Sequence, residues 1–247
     1  MSKSSAASNQ KALHDDVQAA VKSILGASSS TALKTTDYSK VLTSTLAATQ
    51  KTVTIQIDSA DLTQLKQSGY KLCFAKKVGN EAYNVIWQSY TQYLSFNDFS
   101  WTPQYQLFGS NQFQANVQVR ASTNTVNIGL GQQSILDQNG LLGSAITSGP
   151  DTSITLVNNY GSIHPGINQL STGLDGQQVS TPIYVATNPV VLGQTVLTPI
   201  ETILVWFEQN VQTSTMFSTS RSNAIEIDLT FDNSATRLYV GGVWKTV

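Results

Sequence analysis

From Val53 to the C-terminus the chain is a series of short apolar/polar alternations, each cut off by a turn dipeptide, and few folds satisfy that pattern. Val53, Ile55 and Ile57 alternate with Thr54, Gln56 and Asp58, and Ile225, Ile227, Leu229 and Phe231 alternate with Glu226, Asp228 and Thr230. A period of two puts one set on each face of a strand, so both runs read as half-buried strands. Shorter runs of the same kind occupy residues 70–78, 83–87, 104–108, 117–121, 126–130, 154–157, 183–186, 203–207 and 237–240. Gly79-Asn80, Asn139-Gly140, Asn158-Asn159, Asp175-Gly176, Asp232-Asn233 and Gly241-Gly242 stand between them. Such pairs tolerate positive φ or bond their own backbone, which reverses the chain. Many short strands without alternating helices predict a mainly β fold, an antiparallel β-sandwich of about ten strands.

The start of the chain reads differently. Residues 1–10 are polar and expected to be disordered. Leu13, Val17, Ala20, Val21, Ile24 and Leu25 then recur at helical spacing, predicting an amphipathic helix over 10–25 that ends near Gly26. A Ser/Thr-rich linker follows over 27–36. Tyr38, Val41, Leu42 and Leu46 predict a second helix, and residues 59–68, closed by Gly69, a short third one. The expected organisation is therefore 1–36 as start, helix and linker, and 37–247 as one β domain with short helices at its beginning.

Composition narrows the function. Charged residues make up 12% of the chain, and Ser, Thr, Asn and Gln together number 95 of 247, so the surface is built from uncharged hydrogen-bonding groups. Up to Lys77 there are ten lysines against five acids; beyond it only Arg120, Arg221, Arg237 and Lys245 oppose ten acids. No Lys or Arg occurs from Ala121 to Ser220. A nucleic acid needs a basic stripe to replace its counterions, so nucleic-acid binding by the β body is not expected. The N-terminus lacks the apolar core of a classical signal peptide, no apolar run approaches the ~20 residues of a membrane helix, and the single cysteine, Cys73, permits no internal disulfide. None of the sixteen asparagines lies in a glycosylation sequon. A cytoplasmic protein, or one released without a classical signal peptide, is expected.

Catalytic patterns are scarce. Gly129-Leu130-Gly131 lacks the third glycine and the helix of a dinucleotide site. His14 sits beside Asp15 and Asp16 on a solvated helix face, and His164 falls in a stretch, Ile163-His164-Pro165-Gly166, that reads as a loop. Cys73 alternates with Leu72 and Phe74 and is expected in the core rather than paired with His164. Glu226, Asp228, Asp232 and Asn233 could offer oxygens to a calcium ion, but a charged outer strand face accounts for them equally. No catalytic residue, metal ligand or cofactor is expected.

One segment is unlike the rest. Trp87, Tyr90, Tyr93, Phe96 and Phe99 recur at every third position, with Trp101, Tyr105, Phe108 and Phe113 beyond. That spacing sends rings to both faces, Trp87 and Tyr93 to one and Tyr90 and Phe96 to the other. Either the rings fill a core, or some stay exposed and stack on a sugar or headgroup while neighbouring amides hydrogen-bond it. The second possibility makes Trp87, Tyr90, Tyr93, Trp101, Tyr105, Asn97 and Asp98 the candidate ligand-binding residues. The expected function is a non-catalytic, lectin-like protein that recognises a neutral glycan or lipid headgroup. Two alternatives compete with it. An amphipathic helix ahead of an aromatic-rich sandwich resembles, in architecture alone, the actinoporins and related fungal lectins, which implies a pore-forming protein at a membrane surface. Low charge and a net charge of -1 fit a self-assembling coat, shell or inclusion protein. A homo-oligomer is expected in either case.

Overall fold

The computed structural model of the protein describes residues 50–247; the helices expected over 10–25 and 38–46 and the linker between them lie outside the described residues. Alternation is read out directly at β1 (Lys51–Ile57), where Val53, Ile55 and Ile57 are buried and their neighbours are not. A short helix follows, α1 (Ser59–Gln67). Its N-cap is Asp58, whose carboxylate accepts the Ala60 N–H at 2.9 Å, and Gly69 ends it at φ 72°.

Fifteen strands and this one helix make up the described residues, and the strands form three sheets. The large sheet is ordered β10 (Gln178–Val185), β9 (His164–Thr172), β4 (Phe96–Ser110), β1, β14 (Ser234–Val240), β15 (Val243–Thr246), with β5 (Val126–Ile128) also on β4. An inner sheet runs β13 (Ile225–Asp228), β12 (Pro199–Glu208), β2 (Lys71–Val78), β3 (Gln88–Tyr90). A third, open sheet runs β11 (Gly193–Leu197), β8 (Ile154–Asn158), β6 (Gln132–Leu136), β7 (Ile146–Thr147). The fold is mainly β, as the alternation predicts, but it is not a single antiparallel two-sheet sandwich of ten strands. Two pairs are parallel, β1 with β14 and β6 with β8. The period of a strand fixes which side chains share a face and says nothing about which strand lies beside it.

The inner sheet is covered on both sides, which explains why β2 reads as a nearly continuous apolar run. Leu72 and Phe74 face the large sheet, where Phe74 stacks on Phe99 at 4.2 Å between centroids. Cys73 and Ala75 face the other way, onto Ile86, Trp206 and Phe217. Burial pushes the Cys73 thiol above its ordinary range, so it stays a packed, protonated side chain.

Between the large and inner sheets lies a buried ion pair. The Lys76 ammonium, fully enclosed, donates to Glu201 Oε2 at 2.6 Å and sits 4.7 Å from the centre of the Trp101 ring. Trp101 Nε1 donates to the same carboxylate oxygen at 2.6 Å. Burial outweighs the attraction of Glu201 and lowers the Lys76 ammonium to about 8. Burial pushes the Glu201 carboxyl upward, but the charge of Lys76 and the donors of Lys76 and Trp101 overcome it and hold the acid below its usual range.

Candidate functional site

The aromatic ladder is mostly core. Trp87 and Tyr93 are fully enclosed and Trp101 and Tyr105 nearly so, packed through Trp87–Phe99 and Trp87–Trp101 edge contacts at 5.0 and 5.8 Å. These four rings have no face left for a ligand, which corrects their assignment as binding residues. The cause is that β4 of the large sheet and the segment around β3 of the inner sheet face one another, so the rings turned inward find partners there. Asn97 is buried as well: its amide donates to Ile55 O and Leu94 O, and its Oδ1 accepts Leu94 N–H, which locks the turn into β4. Tyr90 is half-buried, edge-on to Phe74. Asp98 is exposed and accepts the Thr54 hydroxyl at 2.6 Å, and Phe96, opposite in facing to Trp87 and Tyr93, is exposed too. The seven candidates therefore do not converge on one surface.

His164 is corrected likewise. It begins β9 instead of lying in a loop, is buried, and its Nδ1 lies 2.8 Å from Ala186 O. The acidic group near β13 is already engaged. Glu226 accepts from Tyr83 and Lys77, Asp228 from Thr230 and Thr202, and Asn233 from Lys51. Among the described residues no three His, Cys, Asp or Glu side chains gather as metal ligands would, and no helix is long and apolar enough to cross a membrane.

A cleft of about 250 Å3 lies elsewhere, bounded by α1, the ends of β12 and β14, and the loop before β13. Its floor is the half-buried rings of Tyr70 and Phe207 with the largely buried ring of Tyr239. Phe207 lies parallel to Trp244 at 5.6 Å and edge-on to Tyr239 at 4.9 Å, while Tyr93 backs it at 5.7 Å. Packing of this kind holds each ring at a fixed angle before any ligand arrives.

The walls are tied by hydrogen bonds. Both oxygens of Asp61 in the first turn of α1 accept backbone N–H groups of the β14–β15 turn, Gly241 at 2.6 Å and Gly242 at 3.2 Å. Those two glycines adopt φ 61° and 75°, as a two-residue hairpin turn requires. Asn223, itself at φ 50°, donates to Tyr239 Oη at 3.0 Å and Gly242 O at 2.9 Å, and its carbonyl accepts Trp244 Nε1 at 3.0 Å. Burial raises the Tyr239 phenol, so it stays neutral. The Tyr93 hydroxyl donates to Tyr70 O at 3.0 Å, so Tyr93 ties the aromatic ladder to the cleft by this bond as well as by its ring.

Gln64, Ser68 and Ser222 are exposed along the cleft, and among the described residues their side chains have no hydrogen-bond partner. A second hollow of about 370 Å3 shares Tyr70, Phe207 and Ser222 and continues past Glu208 and Arg221, which pair with one another at 2.9 Å. The charges bordering this surface are therefore satisfied within the protein. A wider depression of about 450 Å3 beside Gln118 and Arg120 has no ring on its lining. Sequence reading missed the cleft because its rings come from three separate places, Tyr70 just before β2, Phe207 in β12 and Tyr239 in β14, each inside an ordinary alternation. The local sign was weak: Phe207, Tyr239 and Trp244 all stand next to strand ends rich in Gly, Asn and Gln.

No family model, curated protein or solved structure matches the chain. The fold and the cleft define only a class, a mainly β protein with a shallow aromatic-floored depression rimmed by polar groups, the Asp61 carboxylate among them.

Proposed function

We propose that the protein is a non-catalytic, lectin-like binding module whose cleft beside α1 takes a neutral glycan. The observation that carries this reading is the pairing of a preset aromatic floor, Tyr70, Phe207 and Tyr239, with the amide and hydroxyl groups of Gln64, Ser68 and Ser222. A pyranose has an apolar face that stacks on a ring and a girdle of hydroxyls that needs uncharged partners. In this reading the large and inner sheets act as two layers of a sandwich and the cleft sits on its rim. The ladder of rings from Trp87 to Tyr105 is scaffold.

A glycan array followed by titration calorimetry tests it. Loss of one uncharged hydrogen bond costs about 1 kcal/mol, so Gln64→Ala and Ser222→Ala should each weaken the best glycan about fivefold with unfolding midpoints unchanged. Failure of every glycan to bind, or equal affinity in the double variant, would remove the proposal.

A further inference from the structure

We propose that β11 is a homodimerisation edge, along which two copies of this chain pair antiparallel and join their open sheets. An exposed strand edge carries unpaired N–H and C=O groups, and proteins guard such edges with charge, proline, a bulge or brevity. Every other sheet edge here is guarded. β10 has Pro182 and a bulge beside it, β15 has Lys245, and β13 has Glu226 and Asp228. β3 and β5 are three residues long and β7 two. β11, Gly-Gln-Thr-Val-Leu, is five residues long and has none of these devices. It pairs only with β8, in unbroken register, and among the described residues no backbone group outside that ladder meets it.

A second observation marks the same place. Val191 and Leu192, just before β11, are 70% and 66% exposed, and Val196 within it is 50% exposed. Ile135 on β6 and Ile146 on β7 are exposed on the same face of the open sheet, with Thr155 and Gln133 between Val196 and Ile146. Large side chains grouped as Val191, Leu192 and Val196 are seldom left on a surface that meets only water.

Charge selects the occupant. The open sheet lies within the stretch from Ala121 to Ser220 that has no Lys or Arg, and its four strands have no ionisable side chain. A second copy presents the same uncharged edge, so pairing desolvates no ion. Antiparallel pairing is self-complementary about a two-fold axis. Centred on Thr195, it sets Val196 of each copy beside Gln194 of the other and lays Leu192 against Thr198. A five-residue ladder with three apolar side chains buries on the order of 1,000 Å2, the low end for specific association, so the dimer should be weak and concentration-dependent. It does not depend on what the cleft binds.

Light scattering after size-exclusion chromatography, on the full chain from about 1 to 300 µM, tests the proposal, because that range brackets a micromolar equilibrium. The native chain should pass from monomer to dimer. Val196→Lys, which installs the missing guard on a solvent-facing position, should stay monomeric with an unchanged unfolding midpoint. Gln194→Lys supplies the same test should the first variant fold poorly. Val243→Lys on β15, an edge already carrying Lys245, should dimerise like the native chain. A native chain that remains monomeric throughout overturns the proposal. So does a folded Val196→Lys or Gln194→Lys protein that dimerises normally, or loss of the dimer in Val243→Lys. Binding of neutral phosphatidylcholine vesicles by a chain that stays monomeric would assign the patch to a lipid surface instead.

Discussion

The inner sheet and the open sheet are built from similar strands, yet they place their apolar residues in opposite relation to water. β2 and β12 are packed on both faces, and even a lysine there is enclosed, matched by Glu201 and Trp101. β6 and β11 pack one face, through Leu136 and Leu197, and turn Ile135 and Val196 outward, beside the exposed Ile146 of β7. Apolar alternation therefore marks a face without saying whether that face is covered. Rings crowd the first region and are buried, so aromatic density points to the core; the rings most open to water are Phe96, Tyr160 and Phe231, and those around Phe207 are only partly exposed.

The largest expected effects fall in the first region. Trp101→Ala removes a buried ring and the Nε1 donor to Glu201, and should cost about 3 to 5 kcal/mol in denaturant unfolding. Ile135→Ala in the open sheet should cost under about 1 kcal/mol, since much of that side chain already meets water. Similar losses for the two would break the comparison.

The ion pair gives the next effect. Glu201→Ala leaves the Lys76 ammonium buried without its counter-charge and should destabilise by about 3 to 5 kcal/mol, whereas Lys76→Met combined with Glu201→Leu should be near neutral or stabilising. A double variant as damaged as the single one would mean that the pair itself stabilises the fold.

The pH dependence sharpens this. Lys76 titrates at about 8 when folded and at 10.5 when free, so between those values the unfolded chain binds more protons and stability from this group rises with pH. The penalty for burying the charged form is complete below pH 8. Glu201 has the opposite sense: its contribution is present above its free value of 4.5 and lost as pH falls through its lowered folded value. Stability measured from pH 7.5 to 10.5, native minus Lys76→Met, should therefore climb with pH. A flat difference would show that Lys76 is not enclosed.

Smaller effects belong to the cleft. Gln64→Ala and Ser222→Ala lie on exposed positions and should shift stability by less than about 0.5 kcal/mol. Tyr239→Phe should cost about 1 kcal/mol, because it strips the Asn223 amide of its hydroxyl acceptor.

How much of this was legible depends on how local each determinant is. β1, α1 and β13 could be read because their faces, cap and closing glycine lie within a few residues of one another. β9 could not, since His164-Pro165-Gly166 has the composition of a loop. Those residues are held in the large sheet by pairing with Gly109 and Phe108 of β4. Gly166 is required there, because a Cβ would stand 2.3 Å from the Phe108 ring. The spacing of the ladder separates Trp87 and Tyr93 from Tyr90 and Phe96 without saying which pair is buried; Trp87 and Tyr93 are the enclosed pair. The spacing could not show that the inner sheet covers β4, which is what removes Trp101 and Tyr105 from any surface. The cleft was hidden for the same reason: Tyr70, Phe207, Tyr239 and Asn223 meet only after pairings that span most of the chain.

Acrylamide quenching of tryptophan fluorescence tests most directly whether the ladder is scaffold. Trp87, Trp101 and Trp206 are 1% exposed or less, while Trp244, stacked on Phe207 beside the cleft, is the one tryptophan with appreciable surface. The native protein should show one quenchable tryptophan, and Trp244→Phe should abolish quenching in a folded chain. Quenching that persists in Trp244→Phe, and in Trp244→Phe combined with Trp206→Phe, would place a ladder ring in solvent and contradict the core assignment.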